Sequence, residues 1–203
     1  VEQLPLVTLE ETYRLCVDIN GNPIPEEEGE LSPPLLETGL DPSLFDIVWE
    51  YPGGTVFGPS LVATQGGTYT VTYTEIATGC SATVSTTVTV SQPPETYEAV
   101  LINGAFAEND AIQATATGLG TYVYQLDNGP FIDDGLFENV SAGAHTVTFK
   151  DVNGCGSVTI EVGVIDYPRY MTPNEDGFND TWNIIGIAAF DPTAKIYIFD
   201  RFG

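Results

Sequence analysis

The sequence predicts an all-β protein made of β-sandwiches, and the first observation behind this is a set of segments with period-two alternation. Thr- and Val-rich runs in which apolar and polar residues alternate occupy 68–76, 83–90, 145–152 and 157–165. Such runs are typical of strands with one buried and one solvated face. The second observation is that clusters of Gly, Pro, Asn and Asp separate the runs at short intervals, as they do in β-sandwiches.

The third observation is an internal repeat. Residues 67–84 (GTYTVTYTEIATGCSATV) align with residues 143–158 (GAHTVTFKDVNGCGSV). Each copy consists of a glycine turn, a strand, a short turn that carries Gly-Cys, and a second strand. The repeat therefore predicts the closing hairpin of a small sandwich, present twice. The aligned pairs include Gly67 with Gly143, Tyr69 with His145, Val71 with Val147, and Cys80 with Cys155.

The repeat sets the predicted domain boundaries. A first sandwich is expected at residues 1–91, a Pro-rich linker at 92–96, a second sandwich at 97–166 and a third unit at 167–203. The third unit contains only two apolar segments, and two strands do not make a stable sandwich. It is therefore expected to be cut short, or to be completed by another chain. Because the first residue is not Met, we interpret the chain as an interior or processed piece of a longer protein.

The charge balance excludes several classes of partner. The chain has 29 acidic and 5 basic residues, which gives a formal net charge of −24. Such a surface repels phosphate backbones and anionic lipid headgroups, so no nucleic-acid partner is expected. No apolar run reaches the length of about 18 residues that a transmembrane helix requires, so no direct membrane insertion is expected either.

The cysteines suggest the kind of sandwich. Cys16 and Cys80 lie in or beside strand-like segments, and Trp49 lies between them. The order Cys, Trp, Cys resembles that of immunoglobulin domains, in which the two cysteines are bonded. We therefore predict tandem immunoglobulin-like β-sandwiches with a Cys16–Cys80 disulfide, the alternative being two buried free thiols. Cys155, which has no partner within its own repeat, is predicted to be buried and free, the alternative being a bond to a cysteine outside this chain.

The sequence gives no sign of an enzyme. His145 is the only histidine, and it takes the place of Tyr69 in the other repeat, which favours a structural role. Nothing near it resembles an activated nucleophile. Zinc would need a cluster of Cys and His residues, and the sequence has none. We predict a protein without catalytic residues and without a certain cofactor.

One short segment, TPNEDGFND at residues 172–180, differs from the rest of the chain. Its side-chain oxygens are of the kind that calcium prefers, and Gly177 would allow a tight bend. The alternative is a network of Asx-turns in which these side chains bond to their own backbone. Both interpretations stay open at this stage. The expected calcium ligands are Asn174, Asp176, Asn179 and Asp180.

The same segment carries a family resemblance. Residues 167–203 resemble the start of the type B C-terminal domain of proteins exported by the type IX secretion system, including gliding-motility-associated surface proteins. In that family a Gly usually precedes the first Asp, and here Glu175 replaces it, while Met171 replaces a usual Phe. If that Gly needs a positive φ, Glu175 strains the turn. The matching positions are Thr172, Pro173, Asn174, Asp176, Gly177, Asn179, Asp180, Trp182, Phe199, Arg201, Phe202 and Gly203.

Two further resemblances concern the sandwiches. Residues 122–156 resemble the repeats of large gliding adhesins, and the first sandwich is similar to immunoglobulin-like or polycystic-kidney-disease-like modules. Together the resemblances imply the C-terminal region of a secreted, adhesin-like cell-surface protein that is exported through the periplasm and is associated with the outer membrane. They imply as partners the type IX translocon and its outer-membrane shuttle or attachment proteins. The alternative is a non-catalytic carbohydrate- or calcium-dependent binding module of a secreted enzyme.

Overall fold

The computed structural model describes residues 3–24, 33–102, 110–167, 170–178, 180–182 and 184–187, together with residues 193, 195 and 197. The chain divides into two compact units. Unit 1 comprises residues 1–95, 117–122 and 150–157, and unit 2 comprises residues 96–116, 123–149 and 158–203. Unit 1 thus takes two short segments from the range that the sequence assigns to the second sandwich. Over the described ranges, no helix has the length and apolar character needed to cross a membrane.

The described strands of unit 1 form two sheets. The strands are β1 (Thr12–Cys16), β2 (Leu35–Glu37), β3 (Phe45–Tyr51), β4 (Gly54–Phe57), β5 (Ser60–Val62), β6 (Gly67–Glu75) and β7 (Ser81–Ser91). The larger sheet has the strand order β1-β7-β6-β3-β4, and the smaller pairs β2 with β5. β1 runs parallel to β7, while β7, β6, β3 and β4 pair antiparallel to one another.

This strand order is that of an immunoglobulin sandwich. The run β7-β6-β3-β4 corresponds to strands G, F, C and C′, and β2-β5 corresponds to strands B and E. Trp49 lies on β3 and is fully buried, as the Trp of strand C is in that fold. The hydroxyl of Tyr69 donates a hydrogen bond to the Gln65 carbonyl at 2.8 Å, which is the tyrosine corner of strand F. The predicted all-β, immunoglobulin-like fold is therefore confirmed.

The predicted Cys16–Cys80 disulfide is wrong. Cys16 is bonded to Cys155, and Cys80 is an exposed free thiol. The register explains the difference, because Cys16 lies opposite Ser91 at the end of β7, while Cys80 directly precedes the start of that strand. A strand of 11 residues spans roughly 35 Å, whereas bonded cysteines have Cα atoms within about 7 Å.

The other half of the cysteine prediction also changes. Cys155 is buried, with 2% of its surface exposed, but it is not a free thiol. In immunoglobulin domains the second cysteine lies two residues after the corner tyrosine. That position is held here by Val71, which is fully buried. The core of unit 1 is therefore apolar where the family disulfide would lie, and the covalent bond is placed elsewhere.

A buried carboxylate lies beside the disulfide. Asp151 is fully buried, and its Oδ2 accepts hydrogen bonds from the Ser91 hydroxyl at 2.9 Å and from the Cys155 amide at 3.2 Å. Its Oδ1 accepts a bond from the Thr121 amide at 3.1 Å. A carboxylate out of contact with water is tolerated only when such donors satisfy it. Asp151 therefore joins the end of β7 to the turn that carries Cys155.

Unit 2 is built mainly from the last six strands. Their sheets have the orders β10-β12-β13 and β11-β9-β8, which correspond to strands C-F-G and E-B-A of an immunoglobulin-like sandwich. Phe149 is fully buried in its core, and its ring packs edge-on against Tyr124 with centroids 5.7 Å apart. The strands are β8 (Thr96–Leu101), β9 (Ala111–Thr117), β10 (Tyr122–Leu126), β11 (Leu136–Glu138), β12 (Gly143–Asp151) and β13 (Ser157–Val164).

His145 has the structural position that its alignment with Tyr69 predicts. Its Nε2 lies 2.8 Å from the Ser141 carbonyl, four residues earlier, just as Tyr69 bonds to the carbonyl four residues before it. Its Nδ1 lies 2.8 Å from Asp127 Oδ2. Burial acts to lower the pKa of His145, but the bonds to Asp127 and Ser141 outweigh burial, and the pKa is raised above 6.5. The bond from His145 in turn lowers the pKa of Asp127 below 3.8.

These two shifts predict a pH window for stability. The contribution of His145 is complete below pH 6.5 and is lost as the pH rises through its raised pKa. The contribution of Asp127 is present above pH 3.8 and is lost as the pH falls through its lowered pKa. We expect His145→Tyr, which can restore the bond to Ser141, to remove the alkaline decline of about 0.2–1 kcal/mol. Urea unfolding measured at pH 5.5 and 8.5 for both proteins tests this, and an unchanged decline in His145→Tyr would contradict it.

Candidate functional site

The loop at residues 172–180 is organised around one carboxylate. Asp180 Oδ1 accepts hydrogen bonds from the amides of Asn174 at 2.9 Å and Glu175 at 2.7 Å. Its Oδ2 accepts a third bond from the Gly177 amide at 2.7 Å. Three backbone donors of one turn therefore converge on a single side chain.

A second group of bonds closes the same turn. Asp176 Oδ1 accepts a bond from the Phe178 amide at 2.8 Å, and Asn174 Oδ1 accepts one from the Asp176 amide at 3.3 Å. The side-chain amide of Asn174 also donates to Asp176 Oδ2 at 2.8 Å. These are Asx-turn bonds, so the loop forms the network that the sequence offered as the alternative to calcium.

The electrostatics of the loop follow from these bonds. The Gly177 amide, followed by those of Asn174 and Glu175, lowers the pKa of Asp180 below 3.8. The Phe178 amide, followed by the Asn174 side chain, does the same for the pKa of Asp176. Both carboxylates are therefore ionised at neutral pH. No group of three or more His, Cys, Asp or Glu side chains that could hold a metal occurs among the described residues, and calcium in this loop stays a prediction.

Glu175 has the backbone strain that its replacement of a Gly predicts. Its φ is 62°, in the left-handed region that costs an L-residue about 1–2 kcal/mol. We expect Glu175→Gly to stabilise the closed loop by about 1 kcal/mol, which slows hydrogen exchange of the Asn174 and Gly177 amides about fivefold. Glu175→Ala is the matched control, because it removes the same charge and keeps the strain. Equally slowed hydrogen exchange in both variants would mean that the effect comes from loss of the Glu175 charge and not from relief of backbone strain.

The remaining motif residues extend from the loop. The Thr172 hydroxyl donates to the Phe178 carbonyl at 3.3 Å, and Pro173 is exposed. Trp182 packs against Tyr167, with ring centroids 5.8 Å apart. Five motif residues lie outside the described residues, namely Asn179, Phe199, Arg201, Phe202 and Gly203. Asn179 is one of the expected calcium ligands. The large apolar side chains of Tyr170, Met171 and Phe178, which lie in the loop or directly before it, are exposed.

A backbone contact attaches this segment to the sandwich of unit 2. Asp166 and Ile185 form an antiparallel bridge, with the Ile185 amide 2.8 Å from the Asp166 carbonyl. Next to it, a Cβ on Gly186 would lie 2.3 Å from the Val164 carbonyl, so only glycine fits there. Residues 181–187 are one of the two apolar segments of the third unit, and their described residues form this single bridge. Sequence reasoning missed the role of Gly186, and a glycine inside an apolar segment was the available signal.

The comparison with protein families decides what this segment is. Residues 165–203 match the model of the CHU_C Type IX secretion signal domain. Residues 165–203 are a type IX secretion signal domain. The loop centred on Asp180 lies inside the matched range, as do the bridge residues Asp166 and Ile185. This confirms the resemblance that the sequence motif carries.

Other comparisons concern the whole chain. No curated protein sequence matches it. Murine CEACAM1b is similar in structure, with 8% identity, a TM-score of 0.44, and coverage of 76% of this chain and 94% of that chain. Immunoglobulin domains 1–5 of Sidekick-1 give 10% identity, a TM-score of 0.26, and coverage of 81% and 42%. The titin tandem A164-A165 gives 14% identity, a TM-score of 0.22, and coverage of 60% and 80%.

The type IX signal domain has direct consequences for the protein that carries it. It implies export and a cell-surface or secreted location. It also implies interaction with the type IX secretion machinery. The immunoglobulin-like units that precede it are consistent with non-catalytic modules.

Proposed function

We propose that this chain is the C-terminal region of an adhesin-like cell-surface protein whose signal domain is recognised by the outer-membrane type IX translocon. The observation that carries the proposal is the match of residues 165–203 to a type IX secretion signal. The protein passes through the periplasm, is handed to outer-membrane shuttle or attachment proteins, and remains associated with the outer membrane. The immunoglobulin-like units act as a spacer or adhesive stalk and have no catalytic role.

The shape of the loop supports recognition by a protein partner. Asp180 fixes the turn through three backbone bonds, so the loop does not need a ligand to hold this conformation. The exposed side chains of Tyr170, Met171 and Phe178 lie on or next to this fixed turn. Large apolar side chains held at the surface of a rigid turn are suited to contact another protein.

The test uses the full-length protein with a fluorescent tag, in cells with and without a working translocon. Surface labelling that requires both the translocon and residues 165–203 is the expected result. Asp180→Ala removes the acceptor of three amides and is expected to reduce surface labelling at least tenfold, with accumulation in the periplasm. Asp133→Ala removes an exposed carboxylate of unit 2 and is the matched control.

The outcomes separate the parts of the proposal. Full surface labelling after deletion of residues 165–203 would refute the sorting function. Loss on deletion but normal labelling of Asp180→Ala would show that the loop is not the recognised element. Cells that display the protein should attach to surfaces more strongly than cells that lack it. Binding of the isolated units to a glycan array, without such attachment, would instead favour a binding module of a secreted enzyme.

A further inference from the structure

One buried carboxylate in unit 2 lacks the donors that such a group needs. Asp110 directly precedes β9 and exposes 6% of its surface. Its Oδ1 is buried and has no hydrogen-bond partner among the residues that the structure describes. The contrast with Asp151 is direct, because three donors satisfy that carboxylate. An unpaired carboxylate is among the most costly groups to bury.

A second carboxylate lies at the same end of the unit. Asp110 directly precedes β9, and Asp166 follows the end of β13. In an immunoglobulin-like sandwich the start of strand B and the end of strand G lie at one end. The Asp110 carbonyl accepts a bond from the Val140 amide at 2.9 Å, which fixes its backbone. Burial, followed by the charge of Asp166, raises the pKa of Asp110. Asp166 therefore adds a second negative charge at the end of the sandwich where Asp110 is buried.

Among the described residues, no basic side chain compensates the charge of these two carboxylates. Neither aspartate forms an ion pair within the part of the chain that the structure describes. The only side-chain bond of Asp166 in that part is the one its Oδ1 accepts from the Tyr167 amide, at 2.7 Å. With only 5 basic residues in the chain, protein cations are scarce. A buried oxygen without a donor, at the same end of the sandwich as a second carboxylate, is the arrangement that a metal ion would stabilise.

We propose that Asp110 and Asp166 bind a hard divalent cation, with Ca²⁺ as the expected ion, at the end of the unit 2 sandwich where the signal domain begins. Asp110 Oδ1 is the inner ligand, the Asp166 carboxylate is the second, and water supplies the other oxygens. The site differs from the loop at 172–180, whose carboxylates already accept backbone bonds. Because Asp166 also pairs with Ile185, the bound ion would order the first residues of the signal domain.

The test measures thermal unfolding of the full chain in EDTA and in 10 mM Ca²⁺ at constant ionic strength. Extracellular calcium modules bind with a Kd of about 10⁻⁴–10⁻³ M, so Ca²⁺ is expected to raise the Tm by about 3–6 °C. Asp110→Asn and Asp166→Asn should each lose this gain in Tm on addition of Ca²⁺. In EDTA, Asp110→Asn should be at least as stable as the wild type, because a buried amide costs less than a buried charge.

Two variants control for other effects of the ion. Asp133→Asn removes an exposed charge from the same unit, so it should keep the full gain. Asp180→Asn alters the loop at 172–180 and should also keep it. Equal gains in all variants would mean that Ca²⁺ only screens the acidic surface, and that result would overturn the proposal. It is also overturned if no protein responds, or if only Asp180→Asn loses the gain.

Discussion

Replacing both Cys16 and Cys155 by serine is expected to lower the free energy of unfolding by about 3–5 kcal/mol. The bond joins residues that are 139 positions apart, so its loss gives the unfolded chain a large amount of conformational freedom. Both cysteines are also buried, so no solvent contact compensates for the lost packing. Urea unfolding of the oxidised wild type and the double variant measures the difference.

Cys80→Ser is the control for this experiment. Cys80 is exposed and free, so its replacement should change stability by less than about 0.5 kcal/mol. Reduction of the wild type with dithiothreitol should reproduce the loss seen in the double variant. If Cys80→Ser were as damaging as the double variant, the pairing described here would be wrong.

Replacing Asp151 by alanine is expected to cost about 3–5 kcal/mol. The change leaves the amides of Thr121 and Cys155 and the hydroxyl of Ser91 without their acceptor in a buried site. Asp151→Asn keeps the volume but turns one acceptor into a donor that faces other donors, so it should also be destabilising. Chemical denaturation of these variants measures both effects.

Asp133→Ala, in which an exposed aspartate is removed, is the control for Asp151. The free energy of unfolding of this variant should lie within about 0.5 kcal/mol of that of the wild type. Because Asp151 bonds to the amide of Cys155, its loss and the loss of the disulfide should not be additive. A small cost for Asp151→Ala would mean that water replaces the carboxylate and that the site is not closed.

Much of the fold could be predicted because it follows from patterns among residues that are close together in the sequence. Period-two alternation located β6, β7, β12 and β13, and the repeat placed His145 where Tyr69 lies in the other copy. The loop at 172–180 could be recognised because its residues are contiguous. The positive φ of Glu175 followed from one substitution in that motif.

The features that were missed depend on which strands are neighbours. The disulfide requires the parallel pairing of β1 with β7, which puts Cys16 at the end of the sheet far from Cys80. The order of Cys, Trp and Cys along the chain does not contain that register. Likewise, Asp110 and Asp166 are far apart in sequence, and Gly186 is required because its φ is 87° and the Val164 carbonyl lies against it.

The bond between Cys16 and Cys155 has a consequence for the order of events during biosynthesis. Multidomain chains commonly fold from the N-terminus as they emerge from the ribosome. Unit 1 cannot complete its folding from its N-terminal residues alone, because residues 150–157 belong to it and supply Cys155 and Asp151. Its last segment is translated only a few residues before the signal domain begins at residue 165. A chain interrupted anywhere before Cys155 would therefore carry neither a completed first unit nor an export signal. During translation, the residues that complete unit 1 and the signal domain are synthesised almost together.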